Sequence, residues 1–169
     1  MSGKLEHLLA ILKQQADLTD KFYDHLDFKY KSTQRIVLDY GSYFPRKIKS
    51  PFRGKRKACF ENCFRRMLEY PNLIYCEGFS VGESANILIP HAWLVDEQGR
   101  LIDPTWTSRE VESSTYFGIA FDCEFVMEVA ANAKYYGVLD LENERANNYP
   151  IMRNGFPPHA LYLSQCPLK

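Results

Sequence analysis

Between residues 57 and 70 the apolar positions are Phe60, Cys63, Phe64, Met67 and Leu68. This is the i, i+3, i+4, i+7, i+8 stripe of an amphipathic helix. Downstream the pattern changes: 73–80, 87–96, 100–106 and 116–121 are short, rich in β-branched and aromatic residues, and predict strands. Upstream, Leu5, Leu8, Leu9 and Leu12, followed by Leu18, Phe22 and Leu26, predict one or two amphipathic helices ending near residue 27. These helices could pack on the core or against a protein partner. Residues 28–56 read as irregular, with a short strand at 36–38. Segments 126–136 and 138–147 predict helices, and the chain from Pro150 onward, carrying Pro157, Pro158 and Pro167, predicts an extended tail. A helix followed by antiparallel strands is an α+β arrangement, expected here as one domain over 1–169: a helical and loop preface (1–56), a core (57–121), and C-terminal helices with a tail (122–169).

The segment ILIPHAWLVDEQGRLIDPTW reads as a hairpin around Asp96-Glu97-Gln98-Gly99. A three-residue loop, 97–99, puts Gly99 where a left-handed backbone is needed. Asp96 then opposes Arg100 and His91 opposes Thr105, which leaves Asp103 diagonal to His91 on one face. Such neighbours lie roughly 7–8 Å apart at the backbone. A loop one residue shorter or longer would send the two side chains to opposite faces.

A carboxylate that can reach an imidazole suggests the orienting half of a nucleophilic site, and two cysteines compete to supply the thiol. Cys63 belongs to the apolar stripe and reads as a small core residue. Cys59 falls in the first helical turn, after the loop-forming Pro51 and Gly54. Unpaired backbone N–H groups and the positive end of the helix dipole favour a thiolate there, and could also hold a developing oxyanion. Cys59 is therefore the expected nucleophile, with His91 as proton shuttle and Asp103 as orienting group. Trp93 shares the predicted face of His91 and could pack on the imidazole or touch substrate. Glu77, on the strand after the helix, could line the site or be an exposed strand carboxylate. Asn62 and Gln34 are both candidate oxyanion donors, and His159 in the tail is a weak alternative base.

Taken together, a Cys at a helix start, YCEGF at 75–79, HAWLVD and LIDPTW resemble the core of the transglutaminase-like branch of papain-fold cysteine enzymes. Within that branch the resemblance is to small bacterial and phage proteins with a Tyr-x-Glu-Gly strand and a final Asp-Pro-Thr-Trp. It spans 57–121 and implies a Cys59-His91-Asp103 triad on a papain-like core. Phe60 stands where transglutaminases often have Trp, so the resemblance implies thiol acyl chemistry more directly than cross-linking. The function expected is an amide hydrolase, peptidase or deamidase working through a thioester. An amine-transferring transglutaminase and a non-catalytic interaction module on the same fold are the alternatives.

Composition narrows the partners. The 169 residues carry 21 Lys and Arg against 21 Asp and Glu, a net charge of zero. No apolar run suggests a signal peptide or a membrane span. Five cysteines with no CxxC spacing fit reduced thiols in a cytoplasm and no structural metal, and the proposed chemistry needs no cofactor. The charge is uneven, however: Arg46, Lys47, Lys49, Arg53, Lys55, Arg56 and Lys57 crowd the stretch just before Cys59. Sparse aromatics and the lack of a nucleic-acid-binding motif argue against nucleic acid as the partner, and a protein, peptide or small amide substrate is expected.

Overall fold

The computed structural model describes residues 3–82, 87–133 and 135–162. Five antiparallel strands form one curled sheet in the order β1-β5-β2-β3-β4, with helices around it: an α+β fold. The strands are β1 (Ser42–Tyr43), β2 (Ile74–Val81), β3 (Ile89–Val95), β4 (Leu101–Ile102) and β5 (Thr115–Phe121).

Pairing of β3 with β4 follows the register read from the turn, with Leu94 opposite Ile102 and Val95 opposite Leu101. Gly99 takes φ 70°, the left-handed conformation expected of it. Asp96 seals the turn by accepting from the Gln98 and Arg100 N–H groups and by pairing with the Arg100 side chain. The ladder stops earlier than the sequence suggests, at Ile102 rather than residue 106. Pro104 has no N–H to give, and the Asp103 carboxylate captures the N–H groups of Thr105 and Trp106.

α1 (Gly3–Phe22) buries Leu5, Leu8, Leu12 and Ala16, one stripe of its surface. Each buried leucine contributes roughly 1.5–3 kcal/mol. The second apolar set is not used in this way: Leu18 and Phe22 are exposed. The 36–38 segment is not a strand but the middle of α2 (Thr33–Tyr40). Ser32 caps that helix by accepting from Arg35 N–H, while Arg35 pairs with Asp17 and Asp20 of α1, and Ile36 and Val37 face the core. A cap and tertiary burial here outweigh β-branched propensity.

α3 (Cys59–Glu69) packs across β2 and β3. α4 (Ser108–Ser113), absent from the sequence reading, is set by a capping box between Thr107 and Glu110. α5 (Cys123–Asn132) and α6 (Leu141–Ala146) begin at the Asp122 and Asp140 caps. The tail is not wholly extended: α7 (Pro150–Asn154) starts with a proline, and Glu144 accepts from the Ile151 and Met152 N–H groups. Alternation along the strands divides two cores. The larger, including Tyr75, Leu94 and Ile119, meets α1, α3 and α5; the smaller holds Phe44, Cys76, Trp93, Val95, Leu101, Val111 and Tyr116.

Candidate active site

His91 lies on β3 beyond the last β3–β4 pair, where the chain leaves the sheet at Asp103. Its Nε2 stands 2.7 Å from Asp103 Oδ2, with both side chains buried. Asp103 is held by four donors: His91 Nε2 and Tyr116 Oη (3.0 Å) on Oδ2, and the Thr105 (2.8 Å) and Trp106 (3.1 Å) N–H groups on Oδ1. Burial alone would raise its pKa, yet these hydrogen bonds and the His91 charge carry it below the ordinary carboxylate value. An ionised carboxylate can only accept, so His91 Nε2 carries the proton between them and Nδ1 is left for another partner.

The Cys59 thiol is near enough to act on the ring. Burial disfavours charge on His91, but its side-chain interactions with Asp103 and Cys59 prevail and raise the imidazole to about 9. At neutral pH the ring is a cation between two groups that can carry negative charge.

Cys59 is the first residue of α3, and its N-cap, Ala58, has no side chain that bonds the helix terminus. The first-turn N–H groups therefore have no capping side chain, at the end of the helix where the dipole is positive. Lys57, two residues earlier, takes φ 61°, left-handed backbone in a non-glycine residue at the entry to α3. Cys59 is 8% exposed, whereas Cys63 is fully enclosed and burial pushes its thiol well above the usual range. The structure separates the two cysteines by environment.

No family model, curated protein or solved structure matches the chain. What the site can do is therefore argued from its own geometry.

Trp106, not Trp93, covers the imidazole: the His91 and Trp106 rings stack at 4.1 Å with 21° between planes. Trp93 is wholly buried, edge-on to Phe44 and Tyr116, and its position in the smaller core removes it as a substrate contact. A Cβ on Gly118 would stand 2.6 Å from its ring, so that glycine makes room for it.

Glu77 is neither exposed nor part of the site's lining. It is 1% exposed and accepts from Tyr75 Oη (2.6 Å) and the Val138 (2.6 Å) and Leu139 (2.9 Å) N–H groups. It latches the 138–139 loop to the sheet, and burial raises its pKa to about 7.

Neither candidate oxyanion side chain is free for that work. Asn62 clamps the basic loop: Oδ1 accepts from Lys55 N–H, while Nδ2 donates to Lys55 O and Thr105 Oγ1. Gln34 lies on α2 and donates to Gln15 of α1. His159 is exposed and faces Glu128. Among the described residues no three His, Cys, Asp or Glu side chains gather as metal ligands would, and no helix is long and apolar enough to cross a membrane.

Proposed function

We propose that the chain is a thiol-dependent acyl-transfer enzyme, an amide hydrolase, peptidase or deamidase, in which Cys59 is the nucleophile. One observation carries this reading: the buried His91–Asp103 pair shares its imidazole with a cysteine at an uncapped helix start. In the reaction the Cys59 proton already rests on His91, and the sulfur attacks an amide carbonyl as the thiolate of that ion pair. The oxyanion forms beside the first-turn N–H groups of α3. His91 then protonates the departing amine as the C–N bond breaks, leaving a thioester on Cys59. Neutral His91 next takes a proton from water, whose oxygen attacks the thioester and frees the acid and the thiol. Asp103, fixed by its other donors, holds the ring in the productive tautomer throughout.

A helix-borne Cys followed in the chain by a strand-borne His and an Asp at the next strand's end supports a transglutaminase-like, papain-type core. It also supports a protein, peptide or small amide as substrate. Chemistry that depends on a reduced thiol suits a cytoplasmic setting, and no cofactor enters any step. Transfer of the acyl group to an amine would follow the same path with an amine in place of water.

The reading is tested by incubating the protein with p-nitrophenyl acetate and mapping the adduct by mass spectrometry. A single acetyl group on Cys59, absent from Cys59→Ala, is the expected result; acetylation elsewhere with Cys59 untouched overturns it. A second reading, a non-catalytic interaction module, draws on Leu18 and Phe22, which are 63% and 72% exposed on the last turns of α1. That reading expects no reactive thiol.

A further inference from the structure

We propose that the acyl substrate carries an oxyanion, a carboxylate or a phosphate, which is seated beside the triad by Lys47, Lys49 and Arg53. This inference rests on the thiol acyl-transfer reading above and names its substrate class. A cavity of about 250 Å³ opens between the basic loop and the 103–112 segment. Those three cations, Trp106, Asp103 and Glu112 are among its walls. The volume lies just below the range of roughly 300–1,000 Å³ typical of small-molecule sites, room for a charged head group and not for a folded partner.

The charges in the cavity do not cancel. Among the described residues none of the three cations forms an ion pair; the pairs present join other side chains. Lys47 is half-buried, and burial lowers its pKa. Its ammonium is fixed by main-chain carbonyls, those of Ser114 and Glu112, and lies 5.6 Å from the centre of the Tyr116 ring. Neutral carbonyls orient that charge without neutralising it. Lys49 and Arg53 line the cavity and are exposed. The Asp103 charge is matched by His91, so within the lining only Glu112 faces the three cations; Glu110, outside the lining, also interacts with the Arg53 charge, and the wall itself keeps an excess of positive charge. A concave, partly desolvated wall with that excess attracts an anion and holds it more strongly than a flat basic surface would.

Trp106 ties the cavity to the chemistry, because the ring that lines it is the one stacked on His91. An anion in the cavity therefore lies one aromatic ring away from the imidazole. A substrate held at this distance has its charged group in the cavity and its amide at Cys59. This also gives the basic run before Cys59 a use that a solvated loop would not have: Asn62 and the bond from Gly54 N–H to Pro104 O fold part of that run back over the 103–106 turn.

The test uses matched iodoacetyl amides whose tethers end in a carboxylate, a phosphonate or a neutral carboxamide, with tether lengths of one to four methylenes. Second-order labelling rates at Cys59 are compared with those of glutathione. At one tether length a charged reagent should gain about fivefold over its neutral twin beyond the glutathione ratio, the scale expected of two partly exposed ion pairs. The carboxylate and phosphonate arms show which oxyanion fits. Lys49→Ala combined with Arg53→Ala should cut the charged-to-neutral ratio at least threefold, and 0.5 M salt should do the same. The Lys21→Ala control, far along α1, should leave the ratio in place. A ratio equal to that of glutathione at every tether length, with neutral reagents still labelling Cys59, overturns the anion site and leaves the acyl-transfer reading standing. Failure of every reagent to label Cys59 in folded protein overturns that reading, and this inference with it.

Discussion

Tyr116 donates to the same Asp103 oxygen that holds His91, at 3.0 Å beside the 2.7 Å contact of the imidazole. Burial and the Asp103 charge raise the pKa of the phenol, so it stays protonated and remains a donor. Asp103 thus has a further positioning donor on β5. Tyr116→Phe should remove one charge-assisted hydrogen bond, worth about 1.5–3 kcal/mol. Turnover of an acyl reporter should fall roughly tenfold with KM little changed, since the orienting group loses one restraint while the acyl site is intact. A thermal melt run alongside separates this from unfolding. Equal turnover in well-folded protein would remove Tyr116 from the account.

Asp103→Asn preserves shape but gives His91 a neutral partner that can present an N–H. Turnover should drop by about 10³–10⁴-fold, the scale seen when an orienting carboxylate is made an amide elsewhere. The buried imidazole should also lose the anion that keeps it charged, so its NMR titration should move down from about 9. An unchanged titration would mean that Asp103 does not set the state of the ring.

Two buried groups make contributions to stability that fade one after the other as pH rises. Glu77 holds its proton more tightly when folded, about 7 against an ordinary 4.5, so the folded form loses relative stability between those values. His91 does likewise between 6.5 and about 9: its contribution is complete below 6.5 and is gone above 9. Asp103, with a depressed pKa, acts in the opposite sense, and its contribution disappears as pH falls through the carboxylate range. Melting temperatures across pH 4–10 check the pattern. Glu77→Gln should flatten the lower step and leave the upper one, and a single step that ignores Glu77 would contradict the assignment.

Lys57 holds a left-handed backbone that glycine adopts without strain. Lys57→Gly should therefore be neutral or stabilising, by up to about 1 kcal/mol, where a lysine-to-glycine change in ordinary loop backbone would destabilise. Chemical denaturation of the two proteins gives the sign.

The residues that were legible in the sequence are those whose position follows from local chemistry. Gly99 after Asp96 fixed the hairpin loop, hence the register, hence which face His91 and Asp103 share. The helical stripe through Cys63 left Cys59 at the helix start. Tyr116 was not legible because it reaches Asp103 from β5, a strand whose place beside β2 is decided by long-range pairing. Trp106 was missed because the strand alternation was carried past Asp103, whose side chain in fact ends the ladder and turns Trp106 onto the imidazole. Glu77 gave no sign of burial because β2 lies at the centre of the sheet with both faces covered, a property of packing and not of its own residues. The Thr107–Glu110 capping box, by contrast, was readable and marks α4.

The central claim is that Cys59 is an activated nucleophile paired with His91, and the rate of iodoacetamide modification against pH tests it most directly. Peptide mapping should find Cys59 modified first, with Cys63 protected until unfolding. The rate at pH 6.5 should lie within about threefold of that at pH 8.5, where a free thiol of pKa about 8.5 would differ roughly fiftyfold. His91→Ala should restore the steep profile of a free thiol in protein that still melts cooperatively. A steep profile in the parent protein, unchanged by His91→Ala, or Cys63 modified ahead of Cys59, would contradict the account.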